Sequence, residues 1–219
     1  MNGSKRALLR AIAALAAGLV VDQWPRGARA QDRQGAKAMK IYLAGPLGFS
    51  EAGRAFHNGT IVPSIEKLGH VPYDPWSDDP PPGIDPALAA EIRRLASEIK
   101  AVQSMPYGAA RRDAWRKLNP RIGEKNAKLI DACDLVFAVL DGTDVDSGTA
   151  AEIGYAFAKG RPILGYRGDF RLSADNEGSI VNLQVEYFIR ASGGDIITAF
   201  AELAQALATM KVPTRRSAN

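Results

Sequence analysis

A chain of 219 residues, 46% of them hydrophobic and 24% charged, is long enough for one domain with a real core and some length to spare. A single cysteine, Cys133, excludes an internal disulfide framework, and two distant histidines, His57 and His70, offer no zinc-ligand spacing, so neither metal nor cofactor is expected. The net charge of +4 belongs to the ends: Lys5, Arg6, Arg10, Arg26, Arg29, Arg33 and Lys37 precede the core, Lys211, Arg215 and Arg216 follow it, and residues 39–210 are mildly acidic, unlike the basic patch of a nucleic-acid-binding domain.

The first 38 residues admit two readings. Lys5, Arg6 and Arg10 precede an apolar run, Ala11 to Val21, and Ala28-Arg29-Ala30 resembles a cleavage site, the order of a signal peptide that would export the protein to the periplasm. Alternatively, Met39 stands immediately before the first strand as a natural start, which makes residues 1–38 an overextended gene start and the protein cytoplasmic. The run is too short for a membrane-spanning helix. Either way the folded domain is expected over 39–210, with 211–219 a disordered basic tail.

Lys40 to Ala44 is a short apolar run ended by Gly45-Pro46, which predicts a buried strand entering a loop. A helix is expected from Ser50 to Leu68, stopped by Gly69, followed by a brief strand at His70–Tyr73. Tyr73 to Pro86, rich in Asp and Pro, predicts an irregular loop. Helices are expected over Ala87–Val102 and from Pro120 to Ala132, with the Arg-rich stretch Tyr107–Asn119 unassigned. Leu135 to Leu140 is apolar on both faces, as a central parallel strand should be. A polar loop, Asp141–Ser147, leads to a helix at Thr149–Lys159, then a strand at Pro162–Tyr166, another at Asp195–Ile197 and a last helix at Ala199–Met210. Alternating strands and helices imply a doubly wound, flavodoxin-like α/β fold: a parallel sheet of about five strands with helices on both faces. Ligands then bind beyond the carboxyl ends of the strands, at the loops Gly45–Phe49 and Asp141–Gly148.

The chemistry concentrates in Asp141-Gly142-Thr143-Asp144-Val145-Asp146-Ser147-Gly148-Thr149-Ala150-Ala151-Glu152. Four carboxylates lie at a strand exit and a helix start, and small residues between Asp146 and Glu152 let a ligand approach the backbone. A carboxylate kept charged in a pocket can attack an anomeric carbon and form a covalent glycosyl-enzyme. Spacing alone favours a plainer role, because Thr149-x-x-Glu152 is also a capping box in which Glu152 would bond back to its own helix start.

Two motifs shift that balance. Ile41-Tyr42-Leu43-Ala44-Gly45-Pro46-Leu47 and Asp146-Ser147-Gly148-Thr149-Ala150-Ala151-Glu152-Ile153-Gly154-Tyr155-Ala156, with Asp169-Phe170-Arg171 and Val181-Asn182-Leu183 behind them, resemble the nucleoside 2-deoxyribosyltransferase family over about residues 39–210. The resemblance implies that Glu152 is the nucleophile, that Tyr42 steadies it and that Asp146 hydrogen-bonds the sugar hydroxyls. It also implies that Gly45, Pro46 and Gly148 line the substrate site, and that Asn182 reaches a neighbouring subunit's pocket, making the protein a homo-oligomer, at least a dimer. Asn126 stands where the best-known members carry an aspartate that handles the nucleobase proton, and an amide can hydrogen-bond a base but cannot act as a general acid. Asp144 or Asp74 is the substitute considered for that proton.

Three functions follow from this reading: transfer of a (2-deoxy)ribosyl group from a nucleoside to a free nucleobase through glycosyl-Glu152, hydrolysis of a nucleoside or nucleotide N-glycoside, or nucleoside binding without turnover. Relatives that hydrolyse 5′-nucleotides tend to carry Ser where this chain has Asp146, whose charge would repel a phosphate. The cytokinin-activating phosphoribohydrolase type uses paired glycines that Asp146-Ser147-Gly148-Thr149 lacks. Cys133, Tyr155 and Phe157 are expected in the core, Trp76 and Trp115 to pack loops, and His57 and His70 at the surface or helix ends.

Overall fold

The computed structural model describes residues 38–172 and 174–211; apart from Ala38 and Lys211, the leader-like segment and the basic tail lie outside them. Five strands form one parallel sheet in the order β2-β1-β3-β4-β5: β1 (Lys40–Ala44), β2 (Val71–Tyr73), β3 (Leu135–Val139), β4 (Ile163–Tyr166) and β5 (Ile196–Ile197). This is the doubly wound order expected. β3 is buried at every position, which explains its continuous apolar sequence.

Strand alternation divides the core in two. Ile41 and Leu43 of β1, with Leu135, Phe137 and Val139 of β3, pack beneath the helices α1 (Glu51–Phe56) and α2 (Val62–Lys67) and the C-terminal α7 (Leu203–Thr209). Tyr42 and Ala44, with Val136, Ala138 and Leu140, face α3 (Pro86–Gln103), α4 (Ala109–Ala132), α5 (Ser147–Ala158) and α6 (Leu183–Ala191). The chain therefore leaves β1 toward one face and its neighbour β3 toward the other. That divergence opens a crevice between their carboxyl ends.

Several elements depart from expectation. The predicted helix 50–68 is interrupted by a π-helical stretch, His57–Ile61, between α1 and α2. α4 begins at Ala109, not Pro120, and Pro120 lies within it, so the Arg-rich stretch is its first half. The outer ends of α3 and α4 hold together through their own cluster of Leu95, Val102 and Leu118, with Trp115 packed against it. α6 was not foreseen; Asn182 starts it, accepting from the backbone N–H groups of Gln184 and Val185. The last helix is shorter than predicted, a 3₁₀ turn at Phe200–Glu202 followed by α7.

Candidate active site

The site is built where β1 and β3 end. β1 carries Tyr42 to the interior with none of its surface exposed, and its hydroxyl donates to Glu152 Oε1 at 2.6 Å across 110 residues of sequence. Asn126, on α4, brings its Nδ2 to 3.4 Å from the same oxygen. Glu152 thus takes its hydrogen bonds from two other elements and not from its own helix start.

The reason lies in the cap. Asp146 is the N-cap of α5 and accepts from the Thr149 backbone N–H at 3.0 Å and from its hydroxyl at 3.2 Å. The capping box centred on Thr149 is therefore corrected: the helix begins at Ser147, two residues before the expected Thr149, and Glu152 falls in its second turn, out of reach of the orphan donors. The carboxylate projects toward Tyr42 instead.

Burial first, and then the charge of Asp146, push the Glu152 carboxyl up to about 6, against the lowering effect of the Tyr42 hydrogen bond, Lys125 and Asn126. At neutral pH it is predominantly ionised and poorly solvated, the condition of an available nucleophile. Burial and the adjacent Glu152 raise Tyr42 well above the ordinary phenol value, so Tyr42 remains a proton donor.

The other expected residues fall around this centre. Gly45 sits at the end of β1, where a Cβ would come 3.1 Å from Val139 Cβ, so a side chain would crowd the β3 exit. Pro46 opens a 3₁₀ turn, Pro46–Phe49. Gly148 lies in the first turn of α5, where a Cβ would stand 3.1 Å from Asp146 Oδ2. No contact among the described residues brings Asn182 to Glu152: its Oδ1 caps α6 and its Nδ2 lies 3.4 Å from Asp175 Oδ1.

Asp74 and Asp144 are both engaged otherwise. Asp74 accepts from the Trp76 backbone at 2.9 Å and pairs with His57 Nε2 at 2.9 Å, while Asp144 is exposed and binds the Val145 N–H. His57, expected at the surface or a helix end, does end a helix, as the C-cap of α1, but is only 5% exposed, with its Nε2 against Asp74. Arg167 is buried and ties the β3 exit by donating to Leu140 O at 2.6 Å and Gly142 O at 3.2 Å. Asp141 Oδ1 accepts the Gly168 and Asp169 N–H groups, joining the β3 and β4 exits. Lys125, which the sequence did not single out, is 7% exposed and donates to Pro75 O at 2.7 Å. Among the described residues no group of three or more His, Cys, Asp or Glu could hold a metal ion, and no helix is long and apolar enough to cross a membrane.

A curated relative, an uncharacterized protein of Schizosaccharomyces pombe, is 30% identical over a match covering 37% of this chain and 57% of the relative, so the chain spans little more than half of that protein's length. Two solved structures share the fold: a conserved protein from Enterococcus faecalis (TM-score 0.53, 24% identity, 78% of this chain and 98% of that one) and a 2-deoxyribosyltransferase from Bacillus psychrosaccharolyticus (TM-score 0.50, 19% identity, 81% and 99%). The nucleoside 2-deoxyribosyltransferase model matches residues 41–184, from β1 through the start of α6 and including Tyr42, Asn126, Asp146 and Glu152. The chain belongs to the nucleoside 2-deoxyribosyltransferase family, a family of enzymes.

Proposed function

We propose that this protein transfers a (2-deoxy)ribosyl group between nucleobases, with Glu152 forming the covalent intermediate. One observation carries the reading: the Glu152 carboxylate is held by Tyr42 at 2.6 Å and Asn126 at 3.4 Å, free of its own helix backbone. An oxygen of Glu152 attacks C1′, the C1′–N bond breaks, and its electron pair leaves with the base. The departing base takes up a proton from solvent; a second base then attacks C1′ through a ring nitrogen, gives up its N–H proton to solvent and releases the carboxylate. A 2-deoxyribose lacks the electron-withdrawing 2′-hydroxyl, so its oxocarbenium-like transition state is reached without a metal.

The remaining roles belong to the same proposal. Tyr42 keeps one carboxylate oxygen fixed, so that its partner is the one presented for attack. Asn126 Oδ1 is buried with no hydrogen-bond partner among the described residues, an acceptor suited to an N–H on the base edge. Asp146 offers its remaining acceptor capacity to sugar hydroxyls, and its charge favours an unphosphorylated 5′ end. Gly45, Pro46 and Gly148 leave room for the nucleoside between the two exits. Asn182 lies on the α6 cap, from which it would reach the pocket of a second copy in a homo-oligomer.

The test is incubation with a deoxynucleoside, with and without a second free base, followed by chromatography. Base exchange that disappears in Glu152→Ala is expected. Free sugar regardless of acceptor would make the protein an N-glycosidase, and an unchanged substrate that still binds would make it a binding module.

A further inference from the structure

A groove of about 750 Å³ runs between α3 and α4 past the edge strand β2. Lys40, Tyr73, Ile84, Leu88 and Lys125 line it, whereas Tyr42, Asn126 and Glu152 do not, so it is a separate cavity from the crevice. Its size falls in the range of small-molecule pockets, roughly 300–1,000 Å³. Tyr73 has none of its surface exposed, and its hydroxyl has no hydrogen-bond partner among the described residues. A buried hydroxyl left unpaired is costly, and a bound acceptor would remove that cost. The chemistry at Glu152 makes no use of it.

The charges of the wall sort by sign. All four of its carboxylates are already engaged within the chain. Asp85 accepts the Ala87 and Leu88 N–H groups at 3.0 Å as the N-cap of α3, and Glu91 pairs with Arg94 and, at 2.8 Å, with Arg121. Glu124 pairs with Lys128 at 2.7 Å, and Asp131 accepts from Tyr155 at 3.0 Å and pairs with Lys159 at 3.0 Å. Two ammonium groups, by contrast, keep donors to spare. Lys125, 7% exposed, spends one N–H on Pro75 O at 2.7 Å, and the Lys40 Nζ lies 5.7 Å from the centre of the Tyr73 ring. No carboxylate among the described residues pairs with either. The capacity left over is chiefly that of donors, one from each of β1, β2 and α4. An ionised phosphate or carboxylate, which only accepts, is the group that such a set would hold.

We propose that this groove is a second binding site, for a small organic anion whose phosphate or carboxylate group meets Tyr73, Lys125 and Lys40 and whose apolar body lies against Ile84 and Leu88. The site stands whether or not Glu152 is a nucleophile. Burial lowers Lys125 from the ordinary ammonium range, with Asp74 and Glu152 opposing that shift, and a bound anion would oppose it further.

Methyl NMR of the isoleucine-labelled full chain tests this, with the Ile84 signal assigned by its absence in Ile84→Val. Phenyl phosphate, benzoate and the neutral benzyl alcohol are the probes. A saturable shift of the Ile84 methyl with either anion is expected, and the tighter of the two tells phosphate from carboxylate; benzyl alcohol should bind about tenfold more weakly or worse. Tyr73→Phe should weaken the anion about tenfold, the loss of one hydrogen bond to a charged acceptor. Without ligand the same variant should unfold at no lower temperature than the native protein, because the deleted hydroxyl has no partner to lose. Lys40→Met should weaken the anion as well, and Glu152→Gln should leave its affinity little changed. No saturable shift at millimolar probe, equal affinity for benzyl alcohol, or binding that vanishes in Glu152→Gln each overturns the inference, the last by putting the anion in the crevice.

Discussion

The two faces of one sheet are built to different ends. Beneath α1, α2 and α7, alternate residues of β1 and β3 pack into an apolar cluster that the partly buried Tyr166 joins. On the opposite face the same strands present Tyr42 and, through β2, Tyr73, whose buried hydroxyl has no hydrogen-bond partner among the described residues. Lys125 and half-buried Glu152 lie on that side as well. One face maximises burial. The other accepts poorly solvated polar groups beside the crevice between the β1 and β3 exits.

The comparison is broken most directly on the apolar face. Phe137→Ala empties a fully buried position of the central strand and is expected to cost about 3–5 kcal/mol in urea unfolding. The deficit should appear as lost folded protein, with kcat per folded molecule little altered.

On the polar face the balance should reverse. Tyr42→Phe keeps the ring and deletes the donor to Glu152, a hydrogen bond to a charged acceptor worth about 1.5–3 kcal/mol. Turnover is expected to fall about tenfold or more on that basis. The acid limb should also move above its native position near 6, because the lost bond had favoured the ionised carboxyl.

Glu152→Gln should abolish turnover and stabilise the fold. A carboxyl raised from 4.5 to about 6 opposes folding when ionised, by an amount on the order of 2 kcal/mol. The sign follows from the proton count: the native state holds its proton more tightly, so the native protein gains stability as pH falls through 6 toward 4.5. The variant does not titrate there. Its advantage should be full at pH 8 and absent at pH 4, which thermal unfolding at the two values measures.

The sequence disclosed the parts whose signal is local. The apolar runs of β1 and β3, the glycine stops and the carboxylate-rich β3 exit all lay within a few residues of their cause, and so did the two motifs that carry Tyr42 and Glu152. What escaped it was decided elsewhere in the fold. Pro120 reads as a helix start, yet α4 continues through it because α3 packs along that first half. Asp146 and Thr149 are both competent caps, and only the choice of Asp146 sends Glu152 to Tyr42. Nothing in the order of residues separates Lys125 from the other lysines of α4; its burial comes from the loop after β2, which places Pro75 O over it. His57 is turned inward by the π-helical stretch, which carries no obvious sequence mark.

The smallest effect should come from the rim of the crevice, where the two faces meet. Gly48 lies under the Trp76 indole so closely that a Cβ would fall 2.1 Å from Trp76 Cδ2, and Phe49 meets the same ring edge-on. Trp76 is 40% exposed and its Nε1 donates to Gly45 O at a long 3.3 Å, so the ring can swing away at little cost. Gly48→Ala is therefore expected to change stability by less than about 1 kcal/mol, within the range of a surface substitution. It should nonetheless shift Trp76 fluorescence, read as the difference from the same change made in Trp76→Phe. Because the displaced indole rests on the β1 exit, KM for the nucleoside should rise while kcat holds. A fall in kcat instead would mean that the rim, and not only the Tyr42 face, sets the geometry of Glu152.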